Sequence, residues 1–207
     1  MKDLAQLFAR QKYVVWRSCL KEPQLSLLYR YANKRADAGT MKSDGTAPGA
    51  LSSAGDVFMD GLLVDLLPGT EAISDLKLFP TYSYFRVYHR GDVLARHTDR
   101  ESCEISLSLC LGYQGEKPWP LLVEGPEGAS SIELAPGDAL LYRGIECPHW
   151  REALAGESHA QVFLHYVDQT GPYVEWKYDK RPGLPFGRPQ SPRSSHLAPA
   201  PTLRVRK

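Results

Sequence analysis

Residues 78–168 constrain this chain most, because they are built as a succession of short strand-like segments. The segments "TYSYFRVY", "LARHTD", "CEISLSLCL", "WPLLVEG", "SIELAPGDALLYRG", "PHWREAL" and "AQVFLHYVD" follow one another between turn signals, with no helix-length pattern among them. Such spacing favours a sandwich or jelly roll. Several segments also alternate in polarity. Tyr82, Tyr84, Arg86 and Tyr88 share one face of their segment, opposite Phe85 and Val87; Glu104, Ser106, Ser108 and Cys110 oppose Ile105, Leu107, Leu109 and Leu111; and Gln161, Phe163 and His165 alternate likewise. A strand shows successive side chains to opposite faces, so the aliphatic set packs a core while the small polar set leaves room for a ligand.

The flanks read differently. "DLAQLFARQ" and "EPQLSLLYRYANKRAD" carry helical patterns separated by the short β-branched and aromatic run "YVVW". The stretch "AGTMKSDGTAPGALSSAG" (38–55) reads as a flexible loop, and "DVFMDGLLVDLL" as a helix stopped by Pro68-Gly69. A loop of that length often covers a site. After Lys180 the Pro-, Ser- and Arg-rich tail has too few apolar residues to bury and is expected to be disordered. The expected fold class is therefore α+β. Residues 1–77 would support a jelly-roll core at 78–181, followed by a tail at 182–207.

Charge and cysteine usage exclude more than they assign. Twenty-five Lys and Arg nearly cancel 24 Asp and Glu, so no strong field points to nucleic acid or to an anionic membrane. The N-terminal segment interrupts its apolar positions with charges and lacks both a signal-peptide core and a spanning run, which reads as cytoplasmic. Cys19, Cys103, Cys110 and Cys147 are widely spaced with no C-x-x-C pair, as expected of reduced packing thiols rather than a zinc site or a disulfide framework.

The chemistry-bearing feature is "HTD". In an extended segment, His97 and Asp99 at i and i+2 project to the same side and offer an imidazole and a carboxylate as neighbouring metal ligands. A facial set for non-haem Fe(II) needs one more histidine and leaves the opposite positions open. His149, in "GIECPHWRE", is the candidate third ligand; His159 and His165 compete for that place from the last segment. An H-x-D pair alone is a weak signal.

The ordered set "PTYSYFRVYHRGDVLARHTDRESCEISLSL", "WPLLVE", "LAPGDALLYRGIECPHWRE" and "QVFLHYVD" resembles the double-stranded β-helix core of Fe(II)/2-oxoglutarate-dependent oxygenases, particularly the prolyl-4-hydroxylase-like branch. The resemblance covers residues 78–168 well and the N-terminal helices loosely. It implies iron at His97, Asp99 and His149, with 2-oxoglutarate as co-substrate and O2 as oxidant. Oxidative decarboxylation to succinate would then be coupled to hydroxylation of a small-molecule or peptidyl substrate. The family also places an Arg or Lys near the start of the last strand to hold the far carboxylate of 2-oxoglutarate. Here that position falls at His159. Arg151, which shares strand parity with His149, and Arg86 are the other candidate anchors, with Tyr88, Cys110 and Gln161 expected close to the co-substrate. A cupin-like metal enzyme or binding module without 2-oxoglutarate is the alternative reading, with Glu104 as a further candidate ligand.

Overall fold

The computed structural model describes residues 2–45 and 47–184. Two antiparallel sheets lie face to face, with helices covering the outer side of the larger one. In chain order the elements are α1 (Lys2–Gln11), β1 (Tyr13–Trp16), α2 (Gln24–Asp37), β2 (Leu51–Ala54), α3 (Val57–Asp65), α4 (Leu67–Ser74), β3 (Leu78–His89), β4 (Leu94–His97), β5 (Ile105–Gln114), β6 (Leu121–Gly125), β7 (Gly128–Ile132), β8 (Ala139–Arg143), β9 (His149–Arg151) and β10 (Ser158–Asp168). The larger sheet runs β1-β8-β5-β10-β3-β2 and the smaller β4-β9-β6-β7. Apart from the β6–β7 hairpin, consecutive strands from β3 to β10 thus pass from sheet to sheet, as in a jelly roll.

The alternation in sequence becomes the division between two cores. Phe85, Val87, Ile105, Leu107, Leu109, Leu111, Leu141, Ala160, Val162 and Leu164 point outward from the larger sheet and pack with Phe8, Leu25, Leu28, Met59, Leu63 and Ile73 of the helices. Leu107, Leu109 and Leu164 are fully buried there, each contributing roughly 1.5–3 kcal/mol of transfer free energy. The opposite parity faces the smaller sheet: Tyr88, Cys110, Leu140 and Tyr142 meet Leu94, Trp119, Leu121 and Val123. Every polar side chain expected to face a ligand lies on this inner parity.

The N-terminal region joins the sheet as well as covering it. β1 pairs with β8 and β2 with β3. The stretch 38–55, expected as a flexible loop throughout, therefore ends in a strand, and a bridge between Lys42 and Ser52 closes a hairpin-like excursion. Ser52 supplies the reason: its backbone N–H and hydroxyl both bond to the Lys42 carbonyl. Pro68-Gly69 does not end the helical run either. α3 ends at Asp65, and Pro68 sits in the first turn of α4, where its missing N–H has no intrahelical partner to lose. α3 is capped by Asp56, whose carboxylate accepts from the Phe58 and Met59 N–H groups. None of the described helices is long and apolar enough to cross a membrane. The tail expected to be disordered lies outside the described residues beyond position 184.

Candidate metal centre

β4, β9 and the turn after β8 meet at one end of the inter-sheet space. His97 pairs with His149 across β4 and β9, and their rings lie 4.3 Å apart between centroids. β4 ends at His97, so Asp99 is not a strand residue as the i, i+2 argument assumed. Its position comes from its backbone N–H, which bonds to the Gly144 carbonyl at 2.9 Å. The carboxylate Oδ1 nevertheless lies 3.8 Å from His97 Nε2 and 3.7 Å from His149 Nε2.

Neighbouring groups orient these donors. His97 Nδ1 lies 2.8 Å from the Ala95 carbonyl and His149 Nδ1 3.0 Å from the Cys147 carbonyl, so each Nδ1–H donates to its own backbone two residues back. In that tautomer the lone pair of each ring sits on Nε2, on the side of Asp99, and that of His149 also accepts from the Tyr142 hydroxyl at 3.4 Å. Asp99 Oδ2 accepts from the Ser106 hydroxyl at 3.0 Å, leaving Oδ1 to face the histidines, and Ser106 in turn accepts from His165 Nδ1 at 2.9 Å. Burial holds His149 below the ordinary imidazole range despite the nearby carboxylate, which keeps the ring available as a ligand. Three cis ligands about 2.1 Å from one ion stand about 3.0 Å apart, so Asp99 Oδ1 and each Nε2 need to close by less than about 1 Å, and all three ligand atoms already lie within 4.8 Å of one another. The donors fit a non-haem iron.

Competing ligand sets fit less well. Asp99, Cys103 and His165 also converge, but burial pushes the Cys103 thiol up to about 12, so it stays protonated and is a poor donor. His159 is remote from this group. Glu104, the extra ligand of the cupin alternative, bonds the Asp168 N–H at 2.8 Å and belongs to neither convergent set.

A cavity of about 340 Å³ opens beside the three donors, lined on the larger sheet by Tyr82, Tyr84, Arg86, Phe163 and His165. Arg86 faces it as expected, but engaged: Asp44, from the 38–55 excursion, accepts from Arg86 Nε at 3.0 Å and Nη2 at 2.9 Å. Arg100, on the rim, donates to Asp179 at 2.7 Å and lies over the rings of Tyr82 and Trp176. Sequence reading missed Asp44, Arg100 and the role of Ser106. A larger cleft of about 890 Å³, along Gly115–Pro120 and Glu152–Glu157, carries no convergent ligand set among its lining residues.

The remaining predicted residues cluster deeper between the sheets. Arg151 projects from β9 toward the larger sheet, donating from Nη2 to Gln161 Oε1 at 3.3 Å and from Nη1 to the Trp119 carbonyl, with Trp119 beneath its guanidinium. Gln161 also accepts from His159 Nε2 at 2.6 Å and donates to Ser108 at 2.8 Å. Tyr88 adjoins both arginines, bonding Arg86 Nη1 at 3.2 Å and neighbouring Arg151, as does Cys110. Arg151 is only 2% exposed and pairs with no carboxylate among the described residues; burial lowers its pKa from the ordinary guanidinium value. His159, at the position of the family's basic residue, is no cation: burial and Arg151 push it down to about 3. Its Nδ1 has no hydrogen-bond partner among the described residues.

No protein-family model and no curated protein sequence matches the chain. Similar solved structures include a prolyl-4-hydroxylase from Pseudomonas putida, 18% identical, with TM-score 0.68 over 81% of this chain and 98% of that one. A prolyl hydroxylase from Trichoplax adhaerens in complex with a hypoxia inducible factor peptide fragment is 12% identical, with TM-score 0.67 over 80% and 88%. HygX from Streptomyces hygroscopicus, with nickel, 2-oxoglutarate and hygromycin B bound, is 12% identical, with TM-score 0.64 over 82% and 88%. The likeness is one of fold: this chain has the double-stranded β-helix architecture of these structures, as its sequence led us to expect.

Proposed function

We propose that the chain is a non-haem Fe(II)-dependent dioxygenase that couples oxidative decarboxylation of 2-oxoglutarate to hydroxylation of an organic substrate. The convergence of His97, Asp99 and His149, with each ring held by a backbone bond at Nδ1 so that Nε2 is the unprotonated nitrogen, carries this reading. Iron bound there would supply the activation of O2 and the oxidation of a C–H bond. The protein would hold the metal, favour the neutral form of His149 by burial and fix Asp99 through Ser106.

Arg151 supports 2-oxoglutarate as the co-substrate. A buried guanidinium without a counter-charge is costly, and a ligand carboxylate beside Gln161 and Trp119 would supply that charge. The position the family gives to a basic residue on the last strand is neutral here, and Arg151 reaches the same Gln161–His159 pair from the facing sheet. The cation has moved across the barrel. Tyr88 and Cys110 would border the bound chain of the co-substrate. Four free thiols agree with action in the cytoplasm. Residues 78–181 would form the oxygenase core, supported by 1–77. The HygX and Trichoplax adhaerens structures hold a small molecule and a peptide fragment respectively, and either class is open to this chain.

Anaerobic Fe(II) titration with and without 2-oxoglutarate tests the metal and the co-substrate together. A visible charge-transfer band should appear only when both are present. His97→Ala, Asp99→Ala and His149→Ala should each weaken Fe(II) binding strongly with the fold retained. Normal iron binding by His149→Ala alongside loss in His159→Ala would overturn the ligand assignment. Iron binding by the parent with no effect of 2-oxoglutarate would favour the cupin-like alternative.

A further inference from the structure

Arg86 forms half of a carboxylate receptor whose other half is already occupied. Arg86 is 7% exposed and projects from β3, a strand paired on both sides by β10 and β2. Nε and Nη2 present the planar two-pronged edge that matches a carboxylate, and the Tyr84 hydroxyl adds a third donor to the same group. Aromatic rings enclose the cation, with Tyr84 5.0 Å and Phe163 5.8 Å from it. The receptor is rigid and faces the cavity beside the metal ligands.

Its occupant belongs to a different kind of element. Asp44 comes from the excursion between Lys42 and Ser52, and its Oδ1 also accepts from the Ala47 N–H at 3.2 Å. The Asp44 side chain is 24% exposed, whereas that of Arg86 is 8% exposed, so this carboxylate closes the receptor from the solvent side.

We infer that Arg86 and Tyr84 recognise a carboxylate of the organic substrate, and that Asp44 holds this position as a tethered stand-in until the substrate replaces it. The inference deepens the proposed function and rests on it for the identity of the cavity as a substrate site. Replacing one carboxylate by another leaves the charge at Arg86 unchanged, and the cost of desolvating the incoming carboxylate is offset by rehydration of the displaced Asp44. The two arginines divide the two ligands. Arg151 is buried beside Tyr88 and has no carboxylate partner among the described residues, which suits the buried end of the co-substrate; Arg86 lines the open cavity and already carries one. The substrate class is a carboxylic acid with an apolar or aromatic body to lie against Tyr82, Tyr84 and Phe163.

The test uses the full chain and calorimetric titration with N-acetylphenylalanine, and with its carboxamide as the neutral control. In Asp44→Asn the resident anion is gone, so affinity for the carboxylate probe should rise by at least about tenfold over the parent, with no gain for the carboxamide. The double variant Asp44→Asn/Arg86→Lys keeps the charge without the two-pronged edge and should lose most of the gain; Asp44→Asn/Arg86→Met should lose all of it. No gain in Asp44→Asn, an equal gain for the carboxamide, or a gain that survives Arg86→Met overturns the assignment. Arg86→Met should keep the iron/2-oxoglutarate band of the parent, whereas loss of that band would make Arg86 the co-substrate anchor and sink this inference alone. A parent without the band would sink the proposed function, while probe binding would still report on the receptor.

Discussion

Single side chains decide how well this site holds its ligands, and several of those decisions are invisible in sequence. Ser106 belongs to a small polar set that the alternation of β5 turns inward, but nothing in "CEISLSLCL" says that its hydroxyl is the one fixing Asp99. Ser106→Ala should free the carboxylate to rotate and cost about 10–100-fold in Fe(II) affinity, measured by metal titration, and should also lower the stability of the metal-free protein by about 1–3 kcal/mol, because the buried His165 Nδ1 loses its partner. The meeting of His97 and His149 was legible because β4 and β9 pair; Asp99 was reached by the same strand argument, but it is the bond from its N–H to the Gly144 carbonyl that brings it there. Asp44 was not, because a pairing 42 residues long in sequence depends on how the excursion folds back. Arg151 was legible as one inward-facing candidate, but its lack of a carboxylate appears only once the neighbours are in place. Arg151→Met should raise the apparent dissociation constant for 2-oxoglutarate by at least about tenfold, and Arg151→Lys by less. Fe(II) binding should be spared in both, and unchanged 2-oxoglutarate binding in Arg151→Met would remove the anchor.

At the scale of elements, the strands were legible and the connections less so. Period-2 alternation marks β3, β5 and β10 because one face meets helices and the other meets the second sheet. The segment "SIELAPGDALLYRG" conceals two strands: Pro136-Gly137-Asp138 turns the chain between β7 and β8, which lie in different sheets. β2 escaped because "LSSA" is too short and too polar to register as a strand; its partner β3 makes it one. Gly144, just past β8, shows how a connection shapes the site. A Cβ there would lie 2.3 Å from the Cys103 carbonyl oxygen and 2.4 Å from Asp99 Oδ2. Gly144→Ala should therefore displace the segment carrying Asp99 and weaken Fe(II) binding by about tenfold or more, while the remote two-sheet core keeps the circular dichroism of the parent. Undisturbed iron binding would mean that this segment yields at little cost.

For the molecule as a whole, buried imidazoles tie stability to acidity. His159 is pushed down to about 3 in the folded chain against an ordinary 6.5, so between those limits the unfolded chain takes up a proton that the folded one refuses. Stability is retained above about pH 6.5 and falls as pH drops, by up to about 1.4 kcal/mol per pH unit from this residue. His159→Gln should flatten the decline in urea midpoint between pH 6 and pH 5, and an unaltered slope would show that His159 becomes charged without unfolding. The location of the metal centre has a separate consequence. His97 and His149 belong to the smaller sheet, while Asp99 is held by Ser106 on the larger one, so an ion bound there fastens the two layers together. Free metal at a hundredfold its dissociation constant would add about 2.7 kcal/mol to the folded state. A cell depleted of iron would then lose the protein itself to proteolysis as well as its activity, and its abundance would follow the iron supply.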